Sequence, residues 1–437
     1  MKHLSIGLFG FGVVGEGLYK VINQTTSLNA TIKKVCIKHP NKKRDAPADL
    51  FTTSRDELLD DCSINIIVEV IDDADAAWDI VKKALLNGKS VVSANKKMIA
   101  QHLPELLELQ QRTGKSFLYE AAACASIPVI RNLEEYYDND LLHLIRGVVN
   151  GSTNYILSRM DDDDLDLKSA LLEAQIAGFA ESDPSLDVEG YDAANKWTFL
   201  LTHSYGIIPN PGDLVFNGIQ DIDKSDLKAA NKMDCTIKLV AHAQKLQNGK
   251  IAAYVLPQFV EQHDPLAYIH YEFNGIVIGS AFADKQFFYG KGAGSYPTAS
   301  ALLSDISALR YDYKYEYKKL YHHQPHELSN DFFIKAYVSF KDLDDIPKEE
   351  FESIEEWHSN QNRNYLVGII HFSKLQNSTW WKENEVSLIL YPEAVIESLV
   401  LVKLKKRSLE LGMSVLESVS RKAANKELSR KGDPFAA

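Results

Sequence analysis

The sequence predicts an α/β fold that begins with a parallel sheet covered by helices on both faces and continues into two α+β regions. Three observations predict it. Strand and helix patterns alternate through the first 120 residues, the strand patterns are continuously apolar, and a glycine-rich turn joins the first strand to the first helix. Continuous hydrophobicity is typical of strands buried on both faces. The predicted strands cover residues 4–9, 31–37, 64–71, 90–93 and 116–119, and the predicted helices cover residues 13–23, 76–87 and 97–113.

The chain changes its pattern near residue 132 and again near residue 311. The N-terminal domain is therefore expected to cover residues 1–131, and a helix over 297–310 is expected to return to it. An α+β domain over 132–310 is predicted from strands at 141–150, 235–246, 251–259, 275–281 and 286–289 and helices at 155–160, 167–177 and 191–205. Residues 311–328 are interpreted as a linker. A small α+β domain over 329–437 is predicted from strands at 332–340, 365–372 and 386–391 and a helix at 393–421.

Composition and charge narrow the classes of function. The chain has 437 residues, enough for two or three domains, a net charge of −12 and a pI near 5.6. Nucleic acid and anionic membranes are not expected as partners, because binding phosphates requires clustered Lys and Arg. No apolar run reaches the roughly 18 residues of a membrane span, and the glycine-rich N-terminus shows no convincing signal-peptide cleavage site. Together with four cysteines that lack metal-ligand spacing, this predicts a cytoplasmic protein.

The glycine-rich turn follows the first predicted strand and opens the first predicted helix. Its residues are Gly10, Phe11, Gly12, Val13, Val14 and Gly15. Glycines in this context permit a tight turn and close approach of a pyrophosphate to a helix N-terminus, so the pattern predicts a Rossmann-type, dinucleotide-binding domain. The alternative is a purely structural turn. After the second strand, Lys38 begins a stretch with four cations and no carboxylate before Asp45. This favours NADP, whose 2′-phosphate the cations would bind; NAD and a merely solvated loop are the alternatives.

Three further motifs carry residues suited to chemistry. Ser93 to Lys96 (SANK) follows the fourth strand, where ligands bind in parallel sheets. Residues 178–196 (GFAESDPSLDVEGYDAANK) place Asp192 and Lys196 on one face of a predicted helix. Alone they would be an ordinary helix salt bridge, but the acid-rich turn before them could hold an ammonium group and position the lysine for proton transfer. Residues 290–299 contain three glycines in five residues, which indicates either a ligand loop or a simple turn.

These motifs, with NGSTNYIL at 150–157, stand in an order that resembles homoserine dehydrogenases over about residues 4 to 310. The resemblance implies NAD(P)-dependent interconversion of L-aspartate 4-semialdehyde and L-homoserine, and a homodimer formed through the middle, substrate-binding domain. It implies that Lys196 is the proton donor and that Lys96 contacts the cofactor and the reacting oxygen. The other implied contacts are Glu181, Asp192 and Asp187 for the substrate, Ser93, Gly178, Glu181 and Gly292 for the cofactor, and the backbone oxygens of Glu120, Ala123, Ala125 and Ile127 for a sodium ion.

The sequence departs from the family pattern at three places. Asp72-Asp73 stands where glycines are usual, and Cys124-Ala125-Ser126 replaces a glycine run. The C-terminal region resembles an ACT-type regulatory module, but DLDDIP at 342–347 replaces its expected turn, which favours a degenerate or non-regulatory module. Two rivals follow: an aldehyde dehydrogenase that uses Cys124 as nucleophile, and a non-catalytic sensor of nucleotide or amino acid.

Overall fold

A computed structural model describes residues 3–25, 27–139, 141–209, 212–322, 325–342, 346–359, 363–383 and 385–399. Its N-terminal part is a six-stranded parallel sheet in the order β3-β2-β1-β4-β5-β6, which confirms the predicted fold class. The elements are β1 (Leu4–Phe9), α1 (Val13–Gln24), β2 (Ala30–Cys36), β3 (Phe51–Thr52), α2 (Asp56–Leu59), β4 (Ile66–Glu69), α3 (Ala74–Leu86), β5 (Ser90–Ser93), α4 (Lys96–Thr113) and β6 (Phe117–Leu118). β1 and β4 are buried along their whole length, as their continuous hydrophobicity predicts.

The middle of the chain forms a second sheet with helices packed against it. Two short helices, α5 (Glu120–Cys124) and α6 (Val129–Arg131), connect it to β6. Its remaining elements are β7 (Leu142–Val148), α7 (Gly151–Asp162), α8 (Leu167–Ile176), α9 (Ser185–Val188), α10 (Tyr191–Tyr205), β8 (Val215–Phe216), α11 (Lys224–Lys232), β9 (Cys235–Lys245), β10 (Ile251–Glu261), β11 (Phe273–Ser280), β12 (Asp284–Lys291) and α12 (Ser295–Ala308). α7 and α10 pack against β9, and α12 packs against α1 of the N-terminal sheet. The chain between residues 120 and 308 therefore leaves the parallel sheet and comes back to it.

The C-terminal strands extend the middle sheet. The elements are β13 (Phe333–Phe340), β14 (Phe351–His358), β15 (Asn364–His371), α13 (Phe372–Asn377) and β16 (Ser387–Ile396). β16 pairs in parallel with β10, which gives the order β12-β11-β7-β9-β10-β16-β13-β15-β14. β14 has no predicted counterpart, and the helix predicted from residue 393 is wrong at its start because β16 continues to Ile396. The rest of that predicted helix, from residue 400, and residues 343–345 of DLDDIP lie outside the described residues.

The segment predicted as a linker is packed into the core. Tyr315 and Tyr317 are buried, the Gln110 side chain donates to the carbonyl of Tyr315 (2.8 Å), and the amine of Lys319 donates to the carbonyls of Leu133 and His203 (2.7 Å each). Alternating aromatic and charged residues are typical of a solvated connection, but here Tyr315 and Tyr317 point inward, while Tyr311 and Tyr321 at the two ends are exposed. In the part of the chain that the structure describes, no helix is both long and apolar enough to cross a membrane.

Candidate active site

The glycine turn lies at the carboxyl end of β1, which is next to β4 in the sheet. Gly10 has a φ of +98°, and a Cβ there would lie 2.7 Å from the carbonyl oxygen of Val70. A Cβ on Gly15 would lie 2.3 Å from the carbonyl oxygen of Gly10, so neither position accepts a side chain. A Cβ on Gly12 would meet no other part of the described chain within 4 Å, and no side chain caps α1 at this end. The turn thus leaves open space in front of unpaired helix N–H groups, which suits a pyrophosphate.

A cavity of about 450 Å³ lies beside this turn, at the carboxyl end of β2. Lys42, Arg44 and Phe51 line it, and the Phe51 ring packs edge-on against Phe11 of the glycine turn, with centroids 5.0 Å apart. Arg44 donates to the carbonyls of Lys42 (2.7 Å) and His39 (2.8 Å) and stacks over Phe51, so it braces the basic loop. Lys38 and Lys42 are exposed. Two of the four cations, Lys42 and Arg44, therefore line a cavity next to the dinucleotide turn, where the adenosine half of a cofactor would lie.

Two lysines converge on one buried carboxylate. Asp192 is 3% exposed, and its Oδ2 lies 2.8 Å from the amine of Lys196 one helical turn later. Its Oδ1 lies 2.5 Å from the amine of Lys96, at the start of α4. Burial alone would raise the pKa of Asp192, but the charges of Lys196 and Lys96 hold that pKa well below its usual range. Lys96, Asp192 and Lys196 thus form a charged unit that joins the N-terminal and middle domains.

The lysines differ in their surroundings. Lys196 is buried, and its amine also donates to the carbonyl of Val149 at 2.8 Å. The side chain of Lys96 is 45% exposed towards the cleft. Asp192 is the largest cause of a raised pKa at Lys96, and the more distant charges of Asp187 and Glu181 add to it. Lys96 is therefore held as an ammonium ion at neutral pH.

Asp187 joins this unit through an amide. The Asn150 side chain donates to Asp187 Oδ1 (2.6 Å) and to Asp192 Oδ2 (2.8 Å). With both lysines and Asn150 on it, Asp192 has no accessible oxygen left for a substrate ammonium group; its Oδ1 is fully buried. The structure shows Asp192 in contact with the two lysines, and the substrate contact predicted for Asp192 stays a prediction.

The acid-rich turn supplies the exposed groups near the lysines. Glu181 is exposed in the turn between α8 and α9, which is held by a hydrogen bond from the Gln175 amide to the carbonyl of Glu181 (2.9 Å). Gly178 has a φ of +78° with open space around its Cα, as a backbone contact to a ligand requires. Gly292 packs tightly on Asn274, since a Cβ there would lie 2.1 Å from that side chain. Glu181 and Gly178 are thus exposed in this turn, whereas Gly292 is held against the middle sheet.

Comparisons with known proteins agree with this geometry. A family model described as homoserine dehydrogenase matches residues 128–307, and one described as the NAD-binding domain of homoserine dehydrogenase matches residues 10–120. The homoserine dehydrogenase of Bacillus subtilis is 36% identical over 318 residues, which cover 71% of this chain and 73% of the relative. The chain belongs to the homoserine dehydrogenase family. It is an oxidoreductase that interconverts L-aspartate 4-semialdehyde and L-homoserine, a step of amino-acid biosynthesis, and nothing in the comparisons favours the non-catalytic sensor.

Solved homoserine dehydrogenases share the fold. The crystal structure of the enzyme from Thiobacillus denitrificans has a TM-score of 0.77 and 26% sequence identity, and covers 90% of this chain and 98% of its own. A mutant hyperthermophilic archaeal homoserine dehydrogenase in complex with NADPH has a TM-score of 0.62 and 27% identity, and covers 72% of this chain and all of its own. The first of these extends over most of the C-terminal strands as well as the two N-terminal domains, given that it covers nine-tenths of the chain.

Ser93 has structural partners at the carboxyl end of β5, and the cofactor contact predicted for it stays a prediction. Ser93 has no exposed surface, and its hydroxyl donates to the carboxylate of Glu69 at 2.6 Å and accepts from the N–H of Asn95 at 3.1 Å. Asn95 in turn caps α4 through the N–H of Met98 (3.0 Å). Ser93 therefore shapes the turn that presents Lys96. Sequence reasoning missed Glu69, whose only signal was a carboxylate inside an otherwise apolar strand.

Burial raises the pKa of Glu69 to about 7, against 4.5 for an ordinary glutamic acid. Because the folded state binds the proton more tightly than the unfolded chain, stability falls as pH rises from about 5 to 8. We expect Glu69→Gln, which cannot ionise, to gain up to about 3 kcal/mol relative to the wild type over this range. Urea unfolding at about pH 5 and about pH 8 measures it, with the exposed Asp79→Asn as the control. A constant difference between variant and wild type would mean that Glu69 ionises as in the unfolded chain.

The sodium site implied by the resemblance stays a prediction. Ala125 has a φ of +42° and is the first central residue of a tight turn closed by a bond from the N–H of Ile127 to the carbonyl of Cys124 (3.0 Å). The Glu120 carboxylate is used internally, accepting from the N–H groups of Ile130 (2.8 Å) and Arg131 (3.0 Å). Because the Glu120 carboxylate is committed to these N–H groups, an ion at the predicted site would use backbone oxygens. Among the described residues, no group of three or more His, Cys, Asp or Glu side chains could hold a metal.

The remaining departures from the family pattern are compatible with the site. Cys124 is fully buried, and burial raises the pKa of its thiol to about 12, so it is not the thiolate nucleophile of the rival aldehyde dehydrogenase. Asp73 caps α3 by accepting from the N–H of Ala76 (3.0 Å). That carboxylate therefore has a structural partner at the helix end and is not aimed at a nicotinamide nucleotide.

Proposed function

We propose that Lys196 delivers the proton to the carbonyl oxygen of L-aspartate 4-semialdehyde during reduction and accepts it in the reverse direction. The arrangement of Lys96, Asp192 and Lys196 carries this proposal. When bound, the nicotinamide cofactor supplies the hydride. Negative charge then grows on the carbonyl oxygen, where two ammonium groups in a partly dry site stabilise it. Lys196 is the better donor of the two. Its amine is fixed by contacts with Asp192 Oδ2 and the carbonyl of Val149, whereas Lys96 belongs to the cofactor domain.

We further propose that Glu181 and Asp187 bind the substrate ammonium group, with Asp192 reserved for the lysines. Glu181 is exposed on the turn before α9, and Asp187 is half-buried with one oxygen on the Asn150 amide. Two fixed carboxylates beside the lysines would align the aldehyde with the nicotinamide, which lowers the entropic part of the barrier. The backbones of Gly10, Gly12, Gly15 and Gly178 would hold the cofactor. The assay is direct: purified protein, homoserine and NADP or NAD, with absorbance of the reduced cofactor followed. Cofactor binding without turnover would support a sensor instead.

The basic loop supports NADP rather than NAD as the preferred cofactor. We expect kcat/KM with NADPH to exceed that with NADH at least tenfold, because a 2′-phosphate in the cavity beside Lys42 gains a charge-assisted hydrogen bond of about 1.5–3 kcal/mol. Lys42→Ala should lower efficiency with NADPH and leave NADH unchanged. Lys43→Ala is the matched control, since Lys43 is in the same loop but does not line the cavity. Equal efficiency of the wild type with both cofactors would refute this role of the loop.

We propose that the enzyme is a cytoplasmic homodimer joined through the middle domain. β12 is an edge strand of the second sheet, and Phe287 and Tyr289 on one of its faces are 39% and 50% exposed. Large apolar side chains along an edge strand are typical of a protein interface. Light scattering is expected to give twice the chain mass of 49.1 kDa. Phe287→Asp should shift it towards one chain mass; a monomeric wild type would contradict the proposal. Whether the C-terminal strands make turnover sensitive to threonine is tested by adding threonine to the homoserine oxidation assay.

A further inference from the structure

Val149 and Asn150 contact the ion pair of Lys196 and Asp192 from one side. The carbonyl of Val149 accepts from the amine of Lys196 at 2.8 Å and from the Asn274 amide at 3.0 Å. The next side chain, Asn150, is 4% exposed and donates to Asp192 Oδ2, the same oxygen that binds Lys196. Two consecutive residues, Val149 and Asn150, thus contact both members of the Lys196–Asp192 pair.

Asn150 is itself rigidly held. Its Oδ1 accepts from the N–H of Thr153 (2.8 Å) and from the Thr153 hydroxyl (2.9 Å), so it is the N-cap of α7. This fixes the orientation of the amide, because the oxygen is committed to the helix and only the NH₂ group remains for the carboxylates. The NH₂ group donates one hydrogen to Asp187 at 2.6 Å and the other to Asp192 at 2.8 Å. An amide is the only neutral side-chain group that gives two donors and an acceptor in this fixed arrangement.

We infer that Asn150 is a positioning residue for proton transfer: it holds Asp187 and Asp192 together and thereby keeps the amine of Lys196 in place. It does not touch the reacting atoms and acts through Asp192. Without the two N–H donors, two carboxylates would face each other across a half-buried gap, and Asp192 would turn away from its like-charged neighbour. The amine of Lys196 would then lose one of its two contacts, the one with Asp192. The inference rests on the proposed role of Lys196 as proton donor.

Substitution can separate the two roles of Asn150, which are to cap α7 and to donate to Asp187 and Asp192. Serine is as good an N-cap as asparagine, so Asn150→Ser keeps the start of α7 but removes both donors to the carboxylates. We expect kcat to fall about 100-fold, the loss typical of a catalytic group misplaced by about 1 Å, with KM for NADPH within about twofold of the wild type. The solvent deuterium isotope effect on kcat should rise, because proton delivery becomes slower relative to the other steps. Asp166→Ser, at the N-cap of α8, is the control for exchanging a cap without touching the site.

Asn150→Asp gives a second, independent measurement. It keeps the size of the side chain and the cap but replaces the donors with a third carboxylate, so its kcat should fall at least as far as that of Asn150→Ser. Because the size is kept, this variant also shows whether the effect of serine arises from its smaller side chain. A kcat within twofold of the wild type in either folded variant, while Lys196→Ala is inactive, would overturn the inference alone. A fall in kcat with an unchanged isotope effect would also overturn it. An active Lys196→Ala would instead remove the proposed function on which it rests.

Discussion

Lys196→Ala is expected to lower kcat for semialdehyde reduction by about 10² to 10⁴-fold while the protein still binds cofactor. Lys196 is the group that donates the proton, and no other described side chain is placed to replace it. Lys96 is tied to Asp192 Oδ1 at 2.5 Å from the opposite domain, so it stabilises charge but approaches the oxygen from the cofactor side. The glycine turn and the basic cavity are untouched by the substitution, and the dissociation constant for NADPH should change by less than about threefold.

The measurement is steady-state turnover in both directions, with cofactor titration by fluorescence in parallel. Lys97→Ala is the matched control: Lys97 stands beside Lys96 at the start of α4 but is exposed and contacts none of the charged unit. It should have the turnover of the wild type. If Lys196→Ala retained more than a tenth of the wild-type kcat, Lys196 would be removed from the mechanism, whatever its position in the structure.

The fold was predictable where a strand or helix carries its own pattern. β1, β5 and α10 have the predicted bounds, because continuous apolar runs and a helical repeat ending at glycine depend on few other residues. β3 is only two residues long, and most of the β14 side chains are exposed, so neither leaves a hydrophobic pattern. The sequence predicts that this strand ends at residue 391, because the residues from 393 onward resemble a helix. In the structure β16 passes Glu393, whose φ is +52°, and continues to Ile396. Pairing of β16 with β10 joins residues more than 130 apart, which no local pattern indicates.

The site was predictable as a set of residues but not as a geometry. Lys96, Asp192 and Lys196 were each identified from their motifs, and the helical spacing of Asp192 and Lys196 predicted their contact. The contact of Lys96 with Asp192 spans 96 residues and two domains, so only the folded chain shows it. Asn150 and Glu69 had readable signals, a helix N-cap and a carboxylate within an apolar strand, but their partners lie 24 to 42 residues away. Their functions depend on those partners.

Asp192→Asn is expected to reduce both turnover and stability, because it removes the charge between two cations. Breaking a buried ion pair on one side costs about 3–5 kcal/mol, since the remaining charge is left without a partner. The pKa of Asp192 is held down in the folded state, so the contribution of its carboxylate to stability is complete at neutral pH and is lost as pH falls towards and below about 4. Urea unfolding at pH 7 should therefore show the full loss, and the difference between variant and wild type should shrink in acid.

The same substitution gives a pH profile that separates charge from shape, because asparagine has nearly the size of aspartate. Asp192 is the largest cause of the raised pKa of Lys96, so its loss lowers that pKa, and the alkaline fall of kcat should begin at a lower pH than in the wild type. Asp187→Asn is the comparison, since the charge of Asp187 is a smaller cause of the raised pKa of Lys96 than the charge of Asp192. It should move the alkaline limb less than Asp192→Asn does. An unmoved limb in Asp192→Asn, together with a stability loss below about 1 kcal/mol, would show that the two lysines do not depend on this carboxylate, and the charged unit would not be the centre of the site.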